Sequence, residues 1–231
     1  GRLNKTIFGE FIPKATTLVP SKTTYQELLT KYSRKNIGLF HVPIPVDLKI
    51  YDEKKISQER TISLATQWGM LEKPRHIIFA KAYFNSIKWQ NQIIKLSVDL
   101  EKLPENMKPY IVVLKSNVNK KQMNEFEEKY LKNRNSVLCL MEHITDLEAG
   151  LKLSSIYLEL NPQNQYYSLD ILNALAMGNA VVSWENDVNK ELLPKEYHTY
   201  LTGNGDIKKV IQTLTNLLQM NAQERNFTGR T

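Results

Sequence analysis

The feature that most limits what this chain can fold into is a regular alternation: short apolar runs, each followed by a longer segment with apolar residues at helical spacing. Ala15–Val19, Gly38–Val42, His76–Ala80, Tyr110–Leu114, Ser136–Met141, Ile156–Leu160, Ala180–Trp184 and Tyr197–Leu201 read as strands. Between and after them, helices are predicted near Thr23–Ser33, Ser57–Trp68, Ser86–Leu103, Lys121–Leu131, Thr145–Leu151, Ser168–Met177, Asn189–Leu193 and Asp206–Met220. Local chemistry supports several boundaries. Ser21, following Pro20, suits a helix N-cap, Gly69 stops the second helix, and Pro43 and Pro45 end the second strand. Gly203-Asn-Gly205 reads as a turn before the last helix.

Strands separated by helices of this length pair in parallel through right-handed crossovers, with helices on both faces. The expected fold class is therefore α/β, a doubly wound parallel Rossmann-like sheet spanning about 47–220. On such sheets ligands sit at the carboxyl ends of the strands where strand order reverses, often against a helix N-terminus that stabilises phosphate.

Composition mostly excludes. No apolar stretch approaches the roughly 18 residues needed to span a bilayer, and Gly1–Thr6 lacks a signal-peptide core, so a cytoplasmic protein is expected, with an anionic membrane surface as a peripheral partner. The one cysteine, Cys139, lies inside an apolar run, which rules out an intrachain disulfide and points to a packing role. A formal net charge of +7 is compatible with nucleic acid, an acidic membrane face or a phosphorylated ligand. The charge is scattered, however: Lys120 and Lys121 are followed by Glu125, Glu127, Glu128 and Lys129, the pattern of a solvated helix face. No aromatic-basic platform or recognition helix stands out, so no specific nucleic-acid partner is expected. Gly-x-Ser-x-Gly is missing and His41, His76, His143 and His198 are dispersed, which leaves a hydrolase without support. Neither zinc-ligand spacing nor an Asp-x-Asp motif occurs, and no metal cofactor is expected.

The stretch Gln165-Tyr-Tyr-Ser-Leu-Asp-Ile-Leu-Asn-Ala-Leu-Ala-Met-Gly178, followed by Asn179-Ala-Val-Val182, has a physical sense of its own. A polar loop leaves a buried strand and enters a helix whose first free amides, near Ser168 to Asp170, suit a diphosphate, while Asn173 lies about a turn and a half further on. The segment resembles the donor site of retaining GT-B glycosyltransferases of the group 1 type, with their Glu-x-Phe-Gly, a second Glu eight residues after the first, and a small-residue helix end. Gln165 falls at the first Glu, Tyr167 at the Phe, Ser168 at the Gly and Asn173 at the second Glu. In that family the first Glu contacts the sugar and the second the ribose. Amides at both positions keep hydrogen bonding and lose negative charge.

Upstream, His76-Ile-Ile-Phe-Ala-Lys81 resembles the family's strand ending in Gly-Arg, with Lys81 at the Arg and Lys88 at the following Lys. Two cations there would neutralise the diphosphate as the nucleotide leaves. Met141-Glu-His143 falls at the nucleobase-contacting loop, where backbone groups usually act. The resemblance implies one half of a two-domain GT-B architecture: residues 1–46 as the end of the acceptor-side domain and linker, 47–220 as the nucleotide-sugar-binding domain, and 221–231 as the start of a crossover segment. It implies a nucleoside-diphosphate-sugar donor, transfer with retention to an unidentified acceptor, and an acceptor site on a preceding Rossmann-like domain or partner subunit. The alternative is a catalytically degenerate subunit serving as scaffold or protein-binding partner, favoured by the two amides and by Leu114-Lys-Ser-Asn117 in place of a Gly-rich turn.

Overall fold

The computed structural model describes residues 16–32, 38–73, 75–115, 120–142, 146–163 and 167–225. The chain begins with a βαβ unit: β1 (Thr16–Val19), α1 (Lys22–Tyr32) and β2 (Gly38–His41). The two strands pair in parallel as a sheet of their own, with Leu18 beside Phe40. Both of these side chains are exposed, at 62% and 54%, so one face of the small sheet is apolar and uncovered.

A linker leads to α2 (Gln58–Gln67) and then to the main sheet, in which β3 (Ile77–Ala80), α3 (Ile87–Leu100), β4 (Tyr110–Leu114), α4 (Lys120–Lys132), β5 (Leu138–Met141) and α5 (Leu147–Leu153) form the first half. The second half comprises β6 (Ile156–Glu159), α6 (Leu169–Ala176), β7 (Ala180–Trp184), α7 (Asp187–Leu192), β8 (Leu201–Thr202) and α8 (Ile207–Gln219), followed by α9 (Ala222–Arg225). All six strands are parallel, in the order β5-β4-β3-β6-β7-β8. Strand order therefore reverses between β3 and β6, as in a doubly wound sheet.

The period of two explains how the strands bury both faces. Ile78, Ile111, Ile156 and Val182 point to the side covered by α3 and α8, with Trp89, Ile93, Val210 and Leu214 packed against them. Phe79, Val112, Tyr157 and Val181 point to the other side, under Leu64 of α2, Leu151 of α5 and Ile171 of α6. Cys139 packs into this second layer, and burial pushes its thiol up to about 11, so it is protonated and unreactive at neutral pH.

The predicted strand at Tyr197–Leu201 is not a strand over most of its length. Lys195–Tyr200 is a 3-10 helix, and only Leu201–Thr202 joins the sheet. The spacing of three places Tyr197 and Tyr200 as neighbours, their rings 5.9 Å apart, and the two pack into opposite core layers. The third predicted helix stops at Leu100 instead of Leu103, and the last strand before the Gln165 segment ends at Glu159. Ser21 caps α1 as expected, its Oγ accepting from the Thr24 amide at 3.1 Å.

Candidate functional site

The reversal between β3 and β6 brings two chain segments together at the carboxyl edge of the sheet. From β3 comes Lys81, whose amide continues the ladder by donating to the Leu158 carbonyl at 2.9 Å, and then Tyr83. From β6 come Glu159 and, past the intervening loop, Ser168 and Asp170 at the start of α6. Lys81 Nζ forms an ion pair with the Asp170 carboxylate.

Glu159 was not singled out by the sequence, yet it is the most enclosed carboxyl group among the described residues here, 4% exposed. Its carboxylate accepts from Tyr83 Oη at 2.8 Å, Ser168 Oγ at 2.6 Å and Tyr157 Oη at 3.5 Å. Burial raises its pKa, an effect to which Asp170 adds and which the Ser168 and Tyr83 hydroxyls and Lys81 oppose. Tyr83 and Tyr157 are held protonated by burial and by the same carboxylate. The sequence signal was present: an acid inside the run Ile156-Tyr-Leu-Glu-Leu160, where a core strand has no place for a charge unless partners meet it.

Ser168 is the N-cap of α6, its Oγ also accepting from the Ile171 amide at 3.4 Å. The amides of Leu169 and Asp170 find no acceptor among the described residues, and through the Asp170 carboxylate the first turn of α6 meets Lys81. Asn173 lies on the inward side of the same helix, 5% exposed. Tyr167 reaches the linker, donating to the Ile44 carbonyl at 3.2 Å.

The other predicted residues are spread along the edge. Lys88, in the first turn of α3, donates to Asn204 Oδ1 at 3.3 Å in the loop after β8, whereas Lys81 pairs with the first turn of α6, so the two lysines engage different elements. Met141 ends β5, two strands from β3, and its carbonyl takes the Lys115 amide at 2.8 Å. Gln165 and His143 lie outside the described residues. An open cleft of about 300 Å3 lies apart from this crevice, between α1 and the segment after β7, lined by residues that include Thr24, Glu27, Glu185, Asp187 and Lys190.

The far end of the Gln165–Gly178 stretch is structural. Gly178 has φ +82°, its amide donates to Leu175, and the Asn179 amide reaches back to the Ala174 carbonyl at 3.0 Å, a Schellman closure of α6. The Asn179 side chain then donates to the carbonyls of Leu151 and Ser154, pinning the end of α5 to the end of α6. Among the described residues no group of three or more acidic, histidine or cysteine side chains could hold a metal ion, and no helix is long and apolar enough to cross a membrane.

A six-stranded parallel sheet in this order, with helices on both faces and its crevice at the β3/β6 reversal, gives the chain the fold of one Rossmann-like half of a GT-B glycosyltransferase. Among solved structures it is similar to Anabaena HepE in complex with UDP and glucose, at TM-score 0.70 and 12% identity over 91% of this chain. It is also similar to an α,α-trehalose-phosphate synthase (UDP-forming) from Burkholderia vietnamiensis, at TM-score 0.66 and 11% identity over 90% of this chain. A third is WaaG, a glycosyltransferase involved in lipopolysaccharide biosynthesis, at TM-score 0.68 and 11% identity over 88% of this chain. The chain spans 55%, 52% and 53% of those three chains respectively, about half of each. Neither a protein-family model nor a curated protein sequence matches it.

Proposed function

We propose that this chain is the donor-binding half of a glycosyltransferase and takes a nucleoside-diphosphate sugar in the crevice between β3 and β6. The observation that carries the reading is that Lys81, at the end of β3, meets across the strand-order reversal the first turn of α6, whose Leu169 and Asp170 amides have no acceptor among the described residues. A cation and a helix N-terminus converging on one point favour a diphosphate and the charge that grows on it as the sugar leaves. That UDP and UDP-glucose occupy the similar HepE structures supports a uridine nucleotide as the first ligand to try.

In this reading Lys81 contacts the diphosphate, Ser168 sets the helix end, and Gln165 and Tyr167 border the sugar. Asn173, Lys88 and the Met141 backbone serve the ribose, the distal phosphate and the base. Transfer proceeds with retention, and the acceptor is held by a second Rossmann-like domain or partner subunit. The uncovered Leu18–Phe40 face supports assigning residues 1–46 to that acceptor side, because parallel strands ordinarily have both faces covered.

The test is titration with UDP and UDP-glucose, read by calorimetry and by melting temperature. Binding that weakens at least about tenfold in Lys81→Ala, a loss of about 1.4 kcal/mol, supports the reading. A folded chain indifferent to both ligands overturns it. A second reading, a degenerate subunit acting as scaffold, is favoured by two observations: Asn173 is buried, and Lys81 is already paired. Co-purification of a stoichiometric protein partner, with no nucleotide response, would establish it.

A further inference from the structure

The acid that holds Lys81 lies in the first turn of the helix whose open end faces the crevice. Lys81 and Asp170 approach from opposite sides of the strand-order reversal, so their pairing comes from the sheet topology and not from local sequence. Asp170 brings a negative charge to the first turn of α6, whose Leu169 and Asp170 amides have no acceptor among the described residues, and that charge holds Lys81. Glu159 stands within electrostatic reach of both Asp170 and Lys81, so two carboxyl groups act on the place where Lys81 is held. The pair is not sealed: the Lys81 and Asp170 side chains are 43% and 34% exposed, and a solvent-borne anion can compete for the lysine.

We propose that Asp170 sets the donor affinity of this crevice by holding Lys81 in place of the donor's diphosphate, so that a ligand must displace a resident carboxylate before it gains the cation. The inference rests on the donor-binding reading above. Its consequence is an affinity scaled down by the fraction of molecules in which Lys81 is released. Removing the carboxylate frees the lysine and also removes a like charge facing the phosphates.

The experiment is calorimetric titration of UDP into four proteins: the unaltered chain, Asp170→Asn, Lys81→Met and the double variant. The expected result is about tenfold tighter UDP binding in Asp170→Asn, a gain much reduced when Lys81 is Met. Asn keeps a short polar group in the first turn of α6. Should that variant not fold, as judged by circular dichroism, Asp170→Ala is read in the same way. If the unaltered chain binds UDP and Asp170→Asn binds it no more tightly, the inference is overturned while the donor reading stands. A gain that persists undiminished in the Lys81→Met background also overturns it, because the carboxylate would then act by repulsion alone. If all four proteins are folded and none binds UDP, the donor reading itself fails and the inference falls with it.

Discussion

At the start of α1, the Glu191 carboxylate of α7 sits directly on the helix end, accepting from the Lys22 and Thr23 amides at 2.6 and 3.0 Å and from Ser21 Oγ at 2.9 Å. At the start of α6, the Glu159 carboxylate takes the cap's hydroxyl instead, Asp170 turns to Lys81, and the first two amides have no acceptor among the described residues. Each helix thus begins with a serine cap and a carboxylate from elsewhere in the fold, yet only α1 has its anion in place. Protonation shows the same contrast. Burial pushes Glu191 up, but the amides and hydroxyls that it accepts from outweigh this and its pKa is lowered. For Glu159 burial wins over the hydroxyls and the pKa is raised. One helix end is closed, fastening the β1–β2 unit to the main sheet through α7. The other keeps two amides without an acceptor among the described residues.

The largest expected effect is that of Glu159→Leu. Orphaning the Tyr83 and Ser168 hydroxyls in a buried site costs about 3 kcal/mol, seen as a lower urea midpoint at unchanged slope. A loss below about 1 kcal/mol would mean the network is not a structural element of the crevice. Next is Glu191→Ala, which takes the carboxylate from the Lys22 and Thr23 amides of α1 at a cost of about 1.5 kcal/mol and should speed amide exchange in β1, α1 and β2 while β3, β4 and β6 keep their protection. Uniform loss of protection would erase the distinction between the two helix ends. Gly178→Ala disturbs the opposite end of α6: at φ +82°, with a new Cβ 3.2 Å from Glu53 Oε2, it should cost about 1 kcal/mol and leave α1 untouched.

The smallest effect is in the pH dependence. Glu159 has a raised pKa, so its contribution is present below the ordinary carboxyl value of 4.5 and is lost as pH rises through its folded value. Glu191 has a lowered pKa, so its contribution is present above 4.5 and is lost as pH falls through its folded value. Melting curves of Glu159→Gln and Glu191→Gln, each set against the parent chain between neutral and acid pH, should therefore diverge in opposite directions. The same direction in both would mean that amide donors and burial do not separate the two acids.

Most of the sheet was legible because buried parallel strands announce themselves as short apolar runs, and Tyr110–Leu114 and Ala180–Trp184 match residue for residue. Tyr197–Leu201 misled because aromatic and β-branched residues favour strands, whereas Pro194 and the packing of two tyrosines three apart select a 3-10 turn. The sheet topology brings Lys81 and Ser168, both singled out in the sequence, to the same edge between β3 and β6, while Glu159 was passed over as a residue within a strand and Asp170 as one amide of a helix end. The Gly178–Val182 tail, read as part of a donor signature, closes α6 and anchors α5.

The sequence by itself determined the alternation of strands and helices, the caps at Ser21, Ser57, Ser86 and Ser168, and the left-handed turn at Gly178, since each depends on residues within a few positions. Which charges meet depends on the assembled sheet. Lys81 pairs with Asp170, Glu159 gathers Tyr83 and Ser168, and Glu191 closes a helix that begins far earlier in the chain. The reason is that Coulombic and hydrogen-bond partners are chosen by strand order, and the order β5-β4-β3-β6-β7-β8 is a property of the whole sheet that no local run of residues carries.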